Sequence, residues 1–212
     1  MSITFIIIAV TSIISFRGWK KRELLYRRMF NAYDVVHNKQ YSRLITHAFL
    51  HADTSHLIFN MLTLYFFGRI VETYFRYIFG GAFANGWGGT VLYLLLYLSG
   101  AVVSTLPDLY KHRNNPDYYA LGASGAISAV LFSAIMFEPA MKIYIFFIPI
   151  GIPAVLFAPL YLIYCQWMAR RNRDNVGHSA HFWGAVYGIV FTIALYPDVI
   201  EGFVSVLTKF AL

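Results

Sequence analysis

The sequence predicts an all-α integral membrane protein: six apolar helices bundled as one domain over residues 1–212, with an interfacial first loop. Three observations predict it. Hydrophobic residues make up 58% of the 212 and charged ones 13%, with a mean hydropathy of +0.57, too apolar for a water-soluble globule. The apolar residues come in long blocks instead of at the spacing of a half-buried surface helix, which is the pattern of repeated bilayer crossing. All 10 carboxylates fall in loops or at block ends, where water or headgroups can solvate them.

Charge and cysteine content narrow the class further. A net charge of +7 suits either nucleic acid or an anionic surface. The basic residues flank apolar blocks and read as headgroup anchors, so the lipid bilayer is the expected partner and nucleic acid is not. The single cysteine, Cys165, excludes an internal disulfide, and its apolar setting reads as an inert packing thiol.

The first block, residues 3–16, is short, but it lacks a basic leader and a small-x-small cleavage site and is read as a span, with Trp19 as its interfacial anchor. Between Arg17 and Ser55 basic residues interleave with Trp19, Leu24, Leu25, Met29 and Phe30, which suits a helix lying in the headgroup plane. The second span covers residues 56–71 and carries His56 and Asn60 near its start. A glycine-rich connection over residues 80–89 has no lysine in register for a phosphate loop and reads as a flexible turn.

The third span, residues 90–106, is expected to end at Pro107. The fourth, residues 121–137, opens on Leu121-Gly122-Ala123-Ser124-Gly125, a serine flanked by glycines where a polar loop enters an apolar helix. Such a helix start leaves backbone N–H groups unpaired, a place to stabilise an oxyanion. The fifth span, residues 143–168, contains Pro149, Gly151, Pro153 and Pro159 and is expected to be kinked. The sixth covers residues 180–196, and residues 198–212 read as an amphipathic tail.

Six alternating spans put the starts of the second, fourth and sixth on one side of the bilayer. His56 and Asn60, Ser124 and His181 all lie in those first turns, so the unusual polar groups converge at similar depth. His56 and Asn60 are spaced i, i+4 and share a helix face. Gly184 and Gly188 follow His181 on one stripe that can press against Gly122, Ser124 and Gly125 with almost no side chain between. Close approach is what a histidine needs to hydrogen-bond a serine hydroxyl.

These motifs resemble the rhomboid family of intramembrane serine proteases. Thr46-His47-Ala48-Phe49-Leu50-His51, His56-Leu57-Ile58-Phe59-Asn60-Met61, Gly122-Ala123-Ser124-Gly125 and Ala180-His181 with Gly184 and Gly188 follow the family's order and spacing. The resemblance implies a six-helix rhomboid bundle that cleaves single-span membrane proteins near the membrane face. It makes Ser124 the nucleophile and His181 its general base, with His56 and Asn60 joining the backbone at Ser124 and Gly122 as oxyanion hole. Gly125, Gly184 and Gly188 are helix-packing positions in it, and Arg43 and Glu72 brace the first loop and the neighbouring helix. It also implies a bacterial inner membrane, and it makes the proline-rich fifth span a candidate side gate for substrates. Two positions depart from the family: Ser128 stands where an aromatic usually stacks on the histidine, and Ser42 where a tryptophan usually precedes Arg43.

No carboxylate is near His181 in sequence, so a Ser-His dyad without an acid is the economical reading, Asp174 being the nearest loop acid. The histidines form no His-Glu-x-x-His and no adjacent pair, so no metal and no cofactor are expected. His47 and His51 are expected to hydrogen-bond within their loop, and His178, placed before the sixth helix, is the rival to His181 as base. A rhomboid-like protein that binds transmembrane segments without cutting them is the alternative function. A channel or transporter would need an ionisable residue near midplane or inverted repeats, and the sequence has neither. Topology signals conflict: 13 of the 17 lysines and arginines lie in loops on the serine side, which the positive-inside rule puts in the cytoplasm, whereas the resemblance puts that face outside. The reading follows the resemblance.

Overall fold

The computed structural model describes residues 2–82, 86–144, 149–171 and 176–211. Helices dominate: α1 (Ile3–Lys20), α2 (Arg22–Arg28), α3 (Ala32–His37), α4 (Arg43–Thr46), α5 (Thr54–Phe79), α6 (Gly88–His112), α7 (Ser124–Phe137), α8 (Ala154–Arg171), α9 (His178–Leu195) and α10 (Val199–Ala211). A short antiparallel hairpin, β1 (Lys142–Tyr144) and β2 (Gly151–Pro153), precedes α8.

The centre of the bundle is α7, whose residues from Gly125 to Met136 are all buried. It is surrounded by α5, α6 and α9, and small residues set how near they come. A Cβ built on Gly188 would stand 2.8 Å from the carbonyl carbon of Ala129, and one on Gly100 would stand 3.0 Å from the Ala129 side chain. Without glycine at these positions the backbones could not touch, and close backbone packing is the main attraction available between helices in lipid.

The outside of the bundle is apolar and part of its inside is polar. On α1 the buried stripe is Thr4, Ile7, Thr11, Ser15 and Gly18, while Phe5, Val10, Ile13 and Phe16 are exposed. On α8 Leu160, Ile163 and Trp167 are likewise exposed. In water such a surface would drive aggregation, so the pattern identifies lipid as the solvent of these faces. Ile3–Lys20 and Gly88–His112 are by themselves long and apolar enough to cross a bilayer.

Several boundaries differ from the sequence expectation. The kinked span over residues 143–168 is replaced by the hairpin and a helix that begins at Ala154. Gly151 and Pro153 lie in extended backbone opposite Tyr144 and Lys142, and Pro159 alone sits inside α8. An apolar, proline-bearing run reads as a broken helix, but proline supplies no N–H for a helical ladder and fits the edge of a two-stranded ribbon. Conversely, α6 does not end at Pro107 but continues to His112. The Ser104 and Thr105 hydroxyls bond the Ala101 and Val102 carbonyls in the turn before the proline, at 3.1 and 2.8 Å. The first connection is not one interfacial helix but three short ones and a 3₁₀ turn, His47–Phe49. The tail does form a helix, α10, with Ile200, Val204 and Leu207 exposed.

Candidate active site

The fourth core helix starts later than its hydrophobicity suggests, at Ser124 itself, because Gly122 has φ +123°, a conformation that ends any helical run reaching back to Leu121. Three backbone bonds hold the approach to the serine. Phe30 and Ala120 exchange N–H···O bonds at 2.8 and 3.0 Å, and the Gly122 N–H donates to the His47 carbonyl at 3.0 Å. The first loop therefore fixes the segment that delivers the serine to the first turn of α7. There the leading N–H groups of the helix have no intrahelical acceptors.

Opposite this turn stands the start of α5. The Asp53 carboxylate caps that helix, accepting from the His56 N–H at 2.8 Å and the Ser55 hydroxyl at 2.6 Å. The Ser55 hydroxyl and His56 N–H hold the Asp53 carboxyl below its ordinary range. His56 and Asn60, one turn apart, face Gly122: a Cβ there would come within 2.8 Å of His56 Nε2 and 3.9 Å of Asn60 Nδ2. Any side chain at 122 would fill the space that both polar groups border. Asn60 is buried, and its Nδ2 has no hydrogen-bond partner among the described residues. A buried orphan donor costs about 1–3 kcal/mol, which suits a group kept for an acceptor that arrives with a ligand.

α9 completes the hollow. A Cβ on Gly184 would stand 2.9 Å from the carbonyl carbon of Gly125, and one on Gly125 would stand 3.5 Å from the Ala180 carbonyl oxygen. The neighbours in sequence of Gly125 and Ala180 are Ser124 and His181, so the two helix starts meet at these residues. Ser124, His181 and His56 are each half-buried, within reach of solvent. His178 is buried as the first residue of α9, not a loop residue ahead of it.

The histidines of the first loop lie outside the spanning segments and act as supports. His51 packs edge-on against the His56 ring, centroids 4.9 Å apart, and its Nδ1 is 3.0 Å from the Ser15 hydroxyl. Ser15 spends its proton on the Phe49 carbonyl at 3.1 Å, so His51 Nδ1 carries the hydrogen. Burial, helped by the nearby His56, pushes the His51 pKa down to about 3, and burial pushes that of His47 down to about 4. Both are neutral at ordinary pH. The spacing His51-x₄-His56 was visible in the sequence, but the contact behind the ring was not.

The family is decided by a comparison of the whole chain with known proteins. The rhomboid domain model matches residues 38–198. This chain belongs to the rhomboid family. Among rhomboid relatives it is 32% identical over 150 residues to "RHOMBOID-like protein 12, mitochondrial" of Arabidopsis thaliana, covering 69% of this chain and 44% of that protein. It is 22% identical over 169 residues to "Rhomboid protease GlpG" of Haemophilus influenzae, covering 80% of this chain and 77% of that one. The chain thus spans less than half the length of the plant relative. Rhomboids are membrane-embedded, in accord with the apolar exterior.

Of the residues singled out from the sequence, the fold gathers Gly122, Ser124 and Gly125 of the serine turn, His56 and Asn60 of α5, and the α9 end that carries His181, Gly184 and Gly188. Two lie elsewhere. The Arg43 guanidinium pairs with Asp34 at 2.8 Å and bonds Gln40 and the Tyr26 and Met29 carbonyls, locking the first loop. Glu72, farther along α5, accepts from Ser2 and Thr4 hydroxyls and from the Ile3 and Thr4 N–H groups, capping α1. Asp174, the loop acid nearest His181 in sequence, lies outside the described residues. Ser128 bonds the Tyr161 hydroxyl of α8 at 3.2 Å. The sequence reading of Cys165 as a packing thiol omits a neighbourhood that only the fold creates: its sulfur and one nitrogen each of His178 and His181 lie within 4.8 Å of one another.

Proposed function

We propose that this rhomboid is an intramembrane serine endopeptidase that cleaves single-span membrane proteins through Ser124 and His181. The observation that carries the reading is the glycine-lined hollow at Gly122, where His56 Nε2 and the unpartnered Asn60 Nδ2 border the turn leading into Ser124. His181 removes the hydroxyl proton as Ser124 Oγ attacks a peptide carbonyl carbon, and the oxyanion is met by Asn60, His56 and the Ser124 backbone N–H; the Gly122 N–H expected to join them is already bonded to the His47 carbonyl, so Gly122 serves by leaving the space open. Collapse passes the proton from His181 to the leaving nitrogen and leaves an acyl-enzyme. Water, deprotonated by His181, attacks the ester and restores the serine.

In this reading α1, α5, α6, α7, α8 and α9 are the six spans of one domain over residues 1–212. At about 1.5 Å per residue the 14 residues of α7 reach about 21 Å, against a hydrocarbon core of about 30 Å. With its Glu138 end at the far surface, Ser124 sits several ångströms beneath the near one, at a depth where a transmembrane substrate can present a bond. Such a substrate must unwind there, which favours glycine, proline and small residues near the cut. The active face is placed outside, in a bacterial inner membrane, and a reporter fused after Leu212 tests that orientation.

The deciding experiment labels the purified protein with a fluorophosphonate and measures cleavage of transmembrane substrates in liposomes. Wild type is labelled and cleaves, Ser124→Ala does neither, and Asn60→Ala is slowed by about 10²–10³, the cost of one oxyanion donor. The plant relative's description as rhomboid-like favours the second reading, a binder of transmembrane segments without proteolysis. Absent labelling with retained substrate binding would select it.

A further inference from the structure

We propose that Cys165, His178 and His181 form an inhibitory site for a zinc-type divalent cation, one that ties α8 to α9 and withdraws His181 from catalysis. The three donor atoms, one from each residue, already lie within 4.8 Å of one another. A tetrahedral zinc with bonds of about 2.3 Å to sulfur and about 2.0–2.1 Å to nitrogen needs donors about 3.3–3.7 Å apart. Closing the gap takes about 1 Å of side-chain rotation, with no change in helix packing. The histidines are spaced i, i+3 on the first turn of α9, so both reach one point beside the helix, and Cys165 meets it from α8.

The donor set selects the ion. One thiolate and two imidazoles suit zinc and its late transition-metal neighbours and exclude calcium and magnesium, which take oxygen ligands. Cys165 and His178 are 1% and 5% exposed, so two of the ligands are out of bulk solvent, while half-buried His181 opens the path by which the cation and one water enter. Three protein ligands leave a fourth position for water. Binding converts the Cys165 thiol to thiolate and releases its proton to solvent, with no redox change.

The consequence rests on His181 being the base in the proposed mechanism. Whichever ring nitrogen takes the metal, the other must carry the hydrogen, so the imidazole has no lone pair left for the Ser124 proton. The same cation fastens α8, the helix whose Tyr161 reaches Ser128, and so resists any outward movement of α8 that admits substrate.

The test uses the full chain in detergent, titrated with cobalt(II) as a spectroscopic substitute for zinc. The expected result is 1:1 binding with a thiolate-to-cobalt charge-transfer band, displaced by zinc. That band is lost in Cys165→Ser, and the affinity of both Cys165→Ser and His178→Gln falls at least about tenfold. In liposomes zinc suppresses wild-type cleavage, a chelator restores it, and each variant needs about tenfold more zinc for the same fractional loss. No cobalt binding below about 100 µM, or a charge-transfer band that survives Cys165→Ser, overturns the site. Full cleavage by the zinc-loaded protein overturns the inhibition. The spectra need no proteolysis, so a protein inactive even without zinc would refute the protease reading while the cobalt bands still decide the metal site.

Discussion

Replacing Gly184 by alanine tests whether the contact between α7 and α9 sets the geometry of catalysis. The new Cβ would lie 2.9 Å from the carbonyl carbon of Gly125 and 3.2 Å from its Cα, whereas carbon atoms rest about 3.5–4.0 Å apart. The nearest obstacle is the Gly125 carbonyl oxygen, and it and both carbons are backbone, so no side chain can swing away and the helices must part by about 1 Å. His181 lies one turn before Gly184 and Ser124 one residue before Gly125, so that separation falls on the proposed catalytic pair. A serine–histidine bond works at about 2.6–3.2 Å, and about 1 Å of misplacement costs about 10²-fold in rate. The strain also removes about 1–3 kcal/mol of stability. The assay is the initial rate of transmembrane-substrate cleavage in liposomes, read beside fluorophosphonate labelling and the melting temperature. Gly188→Ala is the internal comparison: its Cβ would lie 2.8 Å from both the Ala129 carbonyl carbon and Cα, a full turn deeper, so it lowers the melting temperature similarly but the rate less. Gly202→Ala, inside α10 with nothing within 4 Å of the new atom, leaves the rate unchanged and does not lower the melting temperature, alanine being the better helix former. A Gly184→Ala protein cleaving within about twofold of wild type refutes the argument, as does a Gly188→Ala protein that is the slower of the two.

Three further outcomes follow from the same contacts. His47 and His51 titrate at about 4 and about 3 when folded, against 6.5 ordinarily, so the unfolded chain takes up their protons first. Their stability contribution is whole above pH 6.5 and falls on acidification toward pH 4, by up to about 1.4 kcal/mol per pH unit for each; melting temperatures from pH 7 to 4 should show it, and His51→Gln should remove about half of the slope. Glu72→Gln replaces one acceptor oxygen of the α1 cap by a donor, and should cost about 1–3 kcal/mol in thermal or denaturant melts while leaving the rate per folded molecule unchanged. Tyr161→Phe removes the hydroxyl that joins α8 to Ser128, costing about 0.5–1.5 kcal/mol of stability. It should raise kcat/KM for transmembrane substrates while leaving labelling by a small probe unchanged; equal effects on both would show that α8 does not control entry.

Much of the site was legible because it is written in local spacing. Four ordered motifs carry the family, the i, i+4 pairs of His56 with Asn60 and of Gly184 with Gly188 define two helix faces, and alternation of spans brings their starts to one side. The misread parts are those where hydrophobicity and backbone hydrogen bonding disagree. Ile143, Tyr144 and Gly151–Pro153 read as the opening of an apolar span over residues 143–168, yet Gly151 and Pro153 lie in a ribbon edge. Pro107 looks like a helix end, yet α6 runs on to His112, the ring removing only the one N–H that would have met the Val103 carbonyl.

The amino-acid order by itself determined that this chain lives in lipid, that it is a helical rhomboid, and which serine, histidines and asparagine are candidates, because hydropathy blocks and short-range periodicity are properties of the unfolded text. Only the tertiary structure decided that Asn60 holds its Nδ2 beside Gly122 with no partner among the described residues, that Glu72 caps α1, and that Cys165 stands with His178 and His181. Each depends on which face of one helix meets which face of another. That is settled by contacts between residues far apart in the chain, which no local pattern encodes.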